Sequence, residues 1–147
     1  MPGCALFFLL NPAAAQSAKE EPEFVSLGLI SFSPDYQLGE DARFIVFKIR
    51  NRTTRSVVEI FGWVYRFPEG EENSPAARVL VNNPHRGGTL LGTGPHRPGS
   101  VARWRFPLLR QNPEDVKGAL FTLWVNPKGL FFARSEPPPL PSGETEK

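Results

Sequence analysis

The chain has 147 residues, enough for one domain of ordinary size. Its 40% hydrophobic and 22% charged residues exclude a chain disordered throughout, and its 16 Pro and 13 Gly argue against a helical bundle, since Pro inside a helix costs roughly 3 kcal/mol. One Cys excludes an internal disulfide and a Cys-rich zinc site, and a formal net charge of +2 by itself points to no polyanion partner.

The chain opens on a short apolar run, Ala5 to Leu10, broken by Asn11-Pro12 and followed by Ala13-Ala14-Ala15. An apolar core ending in an A-x-A site is the pattern of a secretory signal peptide over residues 1–15, with cleavage expected after Ala15. No Lys or Arg precedes the run, so the expected translation start lies upstream. The run is too short to span a bilayer, which needs about 20 apolar residues. Cys4 falls inside the leader, so the mature protein is expected to hold no thiol, as suits an oxidising compartment. Residues 16–23 read as an acidic linker. Residues 135–147, with four Pro and no apolar pattern, read as an extended, solvated tail. Its Pro137 to Pro141 stretch also has the composition of a polyproline ligand.

Between these ends, residues 24–134 carry prolines that punctuate apolar stretches, the mark of turns around short strands. Phe24 to Phe32 reads as the first strand. Ala42 to Arg50 is rich in β-branched and aromatic residues, and alternation points Ile45, Phe47 and Ile49 to the core. Asn51-Arg52-Thr53-Thr54 is turn chemistry, because Asn and Thr side chains satisfy local backbone groups. Val57 to Phe67 is the longest strand expected, with Phe61, Trp63 and Tyr65 on one face and Ile60 and Val64 on the other. Two apolar faces predict a strand that is central or covered on both sides.

Ala77 to Val81 reads as a short strand, and Thr89-Leu90-Leu91 as a weak one inside an irregular stretch, Asn82 to Gly99. Pro98-Gly99 suits a tight turn. Val101 to Phe106 alternates Ala102, Trp104 and Phe106 with Arg103 and Arg105, giving one buried and one basic face. Asn112-Pro113-Glu114-Asp115 predicts an N-capped helical turn that Gly118 cuts short. Ala119 to Val125 then forms a strand, and Leu130 to Ala133 is expected back as its hairpin partner across Asn126-Pro127-Lys128-Gly129. One helix from Pro113 to Trp124 is the alternative. The sum is an all-β fold: a two-sheet sandwich of about seven or eight antiparallel strands with one helical turn near 113–118. A small barrel is the runner-up.

Three segments carry a resemblance. They are the alternating strand Ile45 to Arg50 running into Asn51-Arg52-Thr53, the apolar-aromatic strand around Trp63-Val64-Tyr65, and the turn His96-Arg97-Pro98-Gly99-Ser100 feeding a strand. Together they resemble the immunoglobulin-like modules of bacterial envelope proteins, of the FxLYD and CARDB types. Glu114 to Gly118, leading to Val125, is similar to the corner before the penultimate strand of such domains. The resemblance implies a fold and a general role in adhesion or assembly. It implies no catalytic residues. The disulfide pair of true immunoglobulin domains is absent from the sequence.

No nucleophile elbow, phosphate loop or H-E-x-x-H helix occurs, and the acids fall mostly in expected turns, so the chain is not expected to be an enzyme. No cofactor or metal is expected. The two histidines share a tripeptide, Pro84-His85-Arg86 and Pro95-His96-Arg97. One reading joins His85, Arg86, His96 and Arg97 into loops that bind an anion or a metal. Zinc wants three or four protein ligands, and no carboxylate lies nearby in sequence. The other reading is two solvated loops.

Charge is unevenly spread. Residues 24–134 hold 12 Arg and 3 Lys against 9 acids, a net of +6 hidden by acidic ends. Alternation places Lys48 and Arg50 on one strand face and Arg103 and Arg105 on another. If the strands are neighbours, the four make a basic docking face for an acidic protein, an anionic lipid surface or an anionic polymer. The expected function is an exported, periplasmic or secreted, non-catalytic binding or assembly module that meets another envelope protein. Nucleic acid is disfavoured by the export signal, and no membrane span is expected after its cleavage.

Overall fold

A computed structural model describes residues 23–134. The leader, most of the linker and the tail lie outside the described residues.

The described chain is all-β and antiparallel. In order it forms β1 (Val25–Ser26), β2 (Ile30–Phe32), β3 (Gln37–Leu38), β4 (Phe44–Asn51), β5 (Val57–Ile60), β6 (Trp63–Phe67), β7 (Val79–Leu80), β8 (Thr89–Leu91), β9 (Val101–Pro107), β10 (Leu120–Trp124) and β11 (Leu130–Phe132). The first sheet runs β1-β2-β4-β9-β8, with β3 following β2 along the same side of β4. The second layer holds a three-stranded sheet, β10-β6-β7, and a two-stranded one, β11-β5, which follows on from the β10-β6 ribbon in a shifted register.

The two sheets pack as a sandwich. Ile45, Phe47, Ile49, Trp104 and Phe106 from the first sheet meet Val57, Ile60, Val64, Phe121, Leu123 and Leu130 from the second, all buried. Burying each such side chain stabilises the fold by about 1.5–3 kcal/mol. Tyr36 spans the layers, its ring edge-on to Phe47 at 5.9 Å and to Phe121 at 5.7 Å. On the β8 side the sheets touch: Gly88 N–H donates to Ile60 C=O at 2.8 Å, and Val57 and His96 exchange main-chain hydrogen bonds at 2.9 and 3.0 Å. The sheets are not joined into a closed barrel.

The alternation read from β4 and β9 holds, and so do the β8 segment and the helical turn, Pro113–Val116. Asn112 caps that turn by accepting from Glu114 N–H at 3.0 Å, and Gly118 ends it at φ +68°. Three expectations are corrected. Phe24 to Phe32 is not one strand but a hairpin, β1 to β2, because Gly28 takes φ +100° and lets Leu27 N–H reach Ile30 C=O at 2.8 Å. Val57 to Phe67 is broken at Phe61-Gly62: Phe61 N–H donates to Gly129 C=O at 2.9 Å in the β5–β11 register, and pairing with β10 resumes at Trp63 in a different register. Finally, β11 does not fold back on β10. Asn126 to Gly129 makes a sideways step, with Asn126 Oδ1 accepting from Lys128 N–H at 2.9 Å, and the chain runs on to pair with β5. The step matches the break in the opposite strand, so the two interruptions face each other.

Candidate functional site

β4 and β9 are neighbours, paired over seven residues from Phe44↔Pro107 to Arg50↔Val101. This register sets Lys48 directly opposite Arg103 and Arg105 opposite Val46, so Lys48, Arg50, Arg103 and Arg105 share the outer face. With about 3.4 Å per residue along a strand, the row from Arg50 to Arg105 spans about 14 Å. Two guanidinium groups rest on aromatic rings: Arg50 over Phe24 at 5.1 Å and Arg105 over Phe44 at 5.4 Å. Arg50 Nη1 also donates to Gly99 C=O at 3.4 Å. The strand residues beside the row on this face include Ser31, Gln37, Val46, Thr89, Leu91 and Val101, none acidic. Among the described residues, none of the four cations forms an ion pair. Like charges directly opposite across a ladder are destabilising, so this row is held together by its strands against its own repulsion.

The 82–99 loops are built differently. His96 is buried at 2% exposure and uses both ring nitrogens inside the fold. Nδ1 accepts from Trp104 Nε1 at 3.0 Å, and Nε2 donates to Ser100 C=O at 2.8 Å. That pairing fixes the neutral Nε2-protonated tautomer. Burial pushes its pKa below the ordinary 6.5, against a smaller upward pull from the Ser100 carbonyl. Asn51 locks the same region. Its Nδ2 donates to Arg55 C=O at 2.8 Å and to His96 C=O at 2.9 Å, while Oδ1 accepts from Thr53 N–H at 2.9 Å and Thr53 Oγ1 at 2.7 Å. His85, Arg86 and Arg97 are exposed. His85 borders a shallow depression of about 270 Å³ with Phe61, Lys128 and Phe131. Among the described residues, no hydrogen bond or ion pair joins the two P-H-R tripeptides, and His96 is turned inward.

Two features escaped the sequence. The outer face of the second sheet carries Trp63 and Trp124 opposite each other, their rings edge-to-face at 6.0 Å, with Arg78 over Tyr65 at 4.2 Å. β6 is central in its sheet, as expected, but this aromatic face stays open: Trp63 is 37% and Trp124 42% exposed. The signal was visible, since Trp63 and Tyr65 alternate with Val64, but alternation alone does not tell which apolar face is left uncovered. The second is a cleft of about 1240 Å³ at one end of the sandwich, between Leu38–Arg43 and Leu108–Val116. Asp41 and Ala42 line it in left-handed backbone, at φ 57° and 51°.

Among the described residues, no group of three or more His, Cys, Asp or Glu is placed to hold a metal, and no helix is long and apolar enough to cross a membrane. Comparison of the chain with protein-family models, curated proteins and solved structures finds no match.

Proposed function

We propose that the protein is an exported, non-catalytic binding or assembly module whose outer β4–β9 face docks an acidic surface of another envelope protein. The supporting observation is the cation row Arg50–Lys48–Arg103–Arg105 on the β4–β9 ladder, which forms no ion pair among the described residues. Arg matches carboxylates with a planar, bidentate fork, and rings beneath Arg50 and Arg105 limit the side-chain entropy lost on binding. Such a face steers association electrostatically and sets specificity more than raw affinity.

The test is recovery of a stoichiometric partner from envelope extract. Binding should weaken with added salt and should fall with Arg103→Glu/Arg105→Glu. A partner that binds this variant as well as wild type would remove the basic face from the reading. N-terminal sequencing of the exported protein should begin at or near Gln16. A mature chain that retains Met1 would remove the export step.

A further inference from the structure

Among the described residues, β10 is an outer strand, paired with β6 on one side only. Its hydrogen-bonding parity follows from Val64, which donates N–H to Asn82 Oδ1 at 2.8 Å and accepts at C=O from Val81 N–H at 2.9 Å. Val64 is therefore turned toward β7. Its cross-strand neighbour Leu123 belongs to a non-hydrogen-bonded pair, with N–H and C=O directed away from β6. Alternation gives the main chain of Phe121 and Val125 the same outward direction. Among the described residues, one of these outward donors has a partner: Phe121 N–H donates to Tyr36 Oη at 3.3 Å.

Edge strands are normally guarded by Pro, Lys, a bulge or extreme shortness. The sequence Leu120-Phe121-Thr122-Leu123-Trp124 has no charge and no Pro, and its ladder with β6 is unbroken over five pairs. Leu120 and Trp124 beside it are 38% and 42% exposed.

We propose that β10 pairs antiparallel with β10 of a second copy of this chain, about a two-fold axis at Trp124. The free main-chain groups select this register. Leu123 N–H meets the partner's Val125 C=O, and Val125 N–H meets the partner's Leu123 C=O, each twice by symmetry. Phe121 N–H stays with Tyr36. A register centred on Leu123, Thr122 or Phe121 demands that occupied donor and leaves an outward carbonyl of the partner unmet.

Side chains agree with the register. The two Trp124 side chains face each other directly across the axis as a non-hydrogen-bonded pair, Cβ atoms about 4.5–5.5 Å apart and within aromatic reach. With Trp63 they form one aromatic band across the axis. No charge falls on the seam, and the basic row lies on the outer face of the other sheet. The edge is thus complementary to itself, as a closed two-fold contact requires.

The test is the mass of the full chain by sedimentation over a concentration series, together with amide hydrogen exchange. The mass should rise twofold with concentration, and Leu123 and Val125 amides should gain protection in step. Trp124→Glu and Thr122→Glu, both on the outer face, should hold the mass at one copy while keeping the wild-type circular dichroism. A monomer throughout the series overturns the proposal. So does a dimer in which the Leu123 and Val125 amides exchange at the monomer's rate, which would place the contact elsewhere and serves even where a variant fails to fold. Binding of the partner at the basic face is read separately, by Arg103→Glu/Arg105→Glu.

Discussion

Trp104 donates its indole N–H to His96 Nδ1 across 3.0 Å, deep in the sandwich and eight residues along the chain. The pair ties the irregular loop before β9 to β9 itself. A positive charge on His96 puts a second N–H against the Trp104 donor, so protonation and the native contact are incompatible.

Stability should therefore depend on pH through His96. Its folded pKa is lowered from 6.5, so the unfolded chain binds the proton first as pH falls. The stabilisation is fully present above 6.5 and is lost as pH drops from there toward the folded value. Urea unfolding between pH 7.5 and 5.5 should show wild type weakening with acid. His96→Gln should be less stable at pH 7.5 by about 1–3 kcal/mol, with a flatter profile. An equally steep profile in His96→Gln would assign the effect to other groups.

Asn51 should be a stability hot spot despite being polar. Its amide makes four hydrogen bonds, and truncation removes all four, leaving Thr53 N–H without its acceptor while His96 C=O keeps only Val57 N–H. Asn51→Ala should cost about 2–3 kcal/mol. The midpoint of denaturant unfolding should shift with an unchanged slope.

Phe47 anchors the aromatic core, fully buried and edge-on to Phe32 at 5.6 Å and Phe106 at 6.3 Å. Phe47→Ala should cost about 3–5 kcal/mol through lost burial and the cavity left behind. Calorimetric melting against wild type checks this.

Lys48→Glu separates stability from binding. It replaces a like-charge pair with an opposite-charge pair facing Arg103. The fold should gain about 0.2–1 kcal/mol, while the proposed acidic partner should bind less tightly. Denaturation and a binding titration on the same preparation read both outcomes. A loss of stability in Lys48→Glu would mean that the Lys48–Arg103 repulsion is already relieved.

Local chemistry was legible where one segment settles it. The Asn51-Arg52-Thr53 turn needs only neighbours in sequence, and Asn51 Oδ1 does accept from Thr53. The strand face of Ile45, Phe47 and Ile49 needs only a period of two, and all three are fully buried. Features that need a distant partner were not legible. The Pro-His-Arg repeat looks like two equivalent loops, yet His96 is drawn inward by Trp104 and Val57 while His85 stays exposed. The Asn126 to Gly129 turn looks like a hairpin, but the pairing of β11 with β5 depends on the break at Phe61-Gly62 in another strand.

The all-β class, the inward faces of β4 and β9, and the outward cations on each are properties of the linear chain. The adjacency of β4 and β9, which brings Lys48 to Arg103, and the position of β10 at an edge arise only in three dimensions. Alternation and turn chemistry are set by covalent geometry within a few residues. Strand order and register are set by which apolar faces bury each other across long loops, a competition no single segment contains.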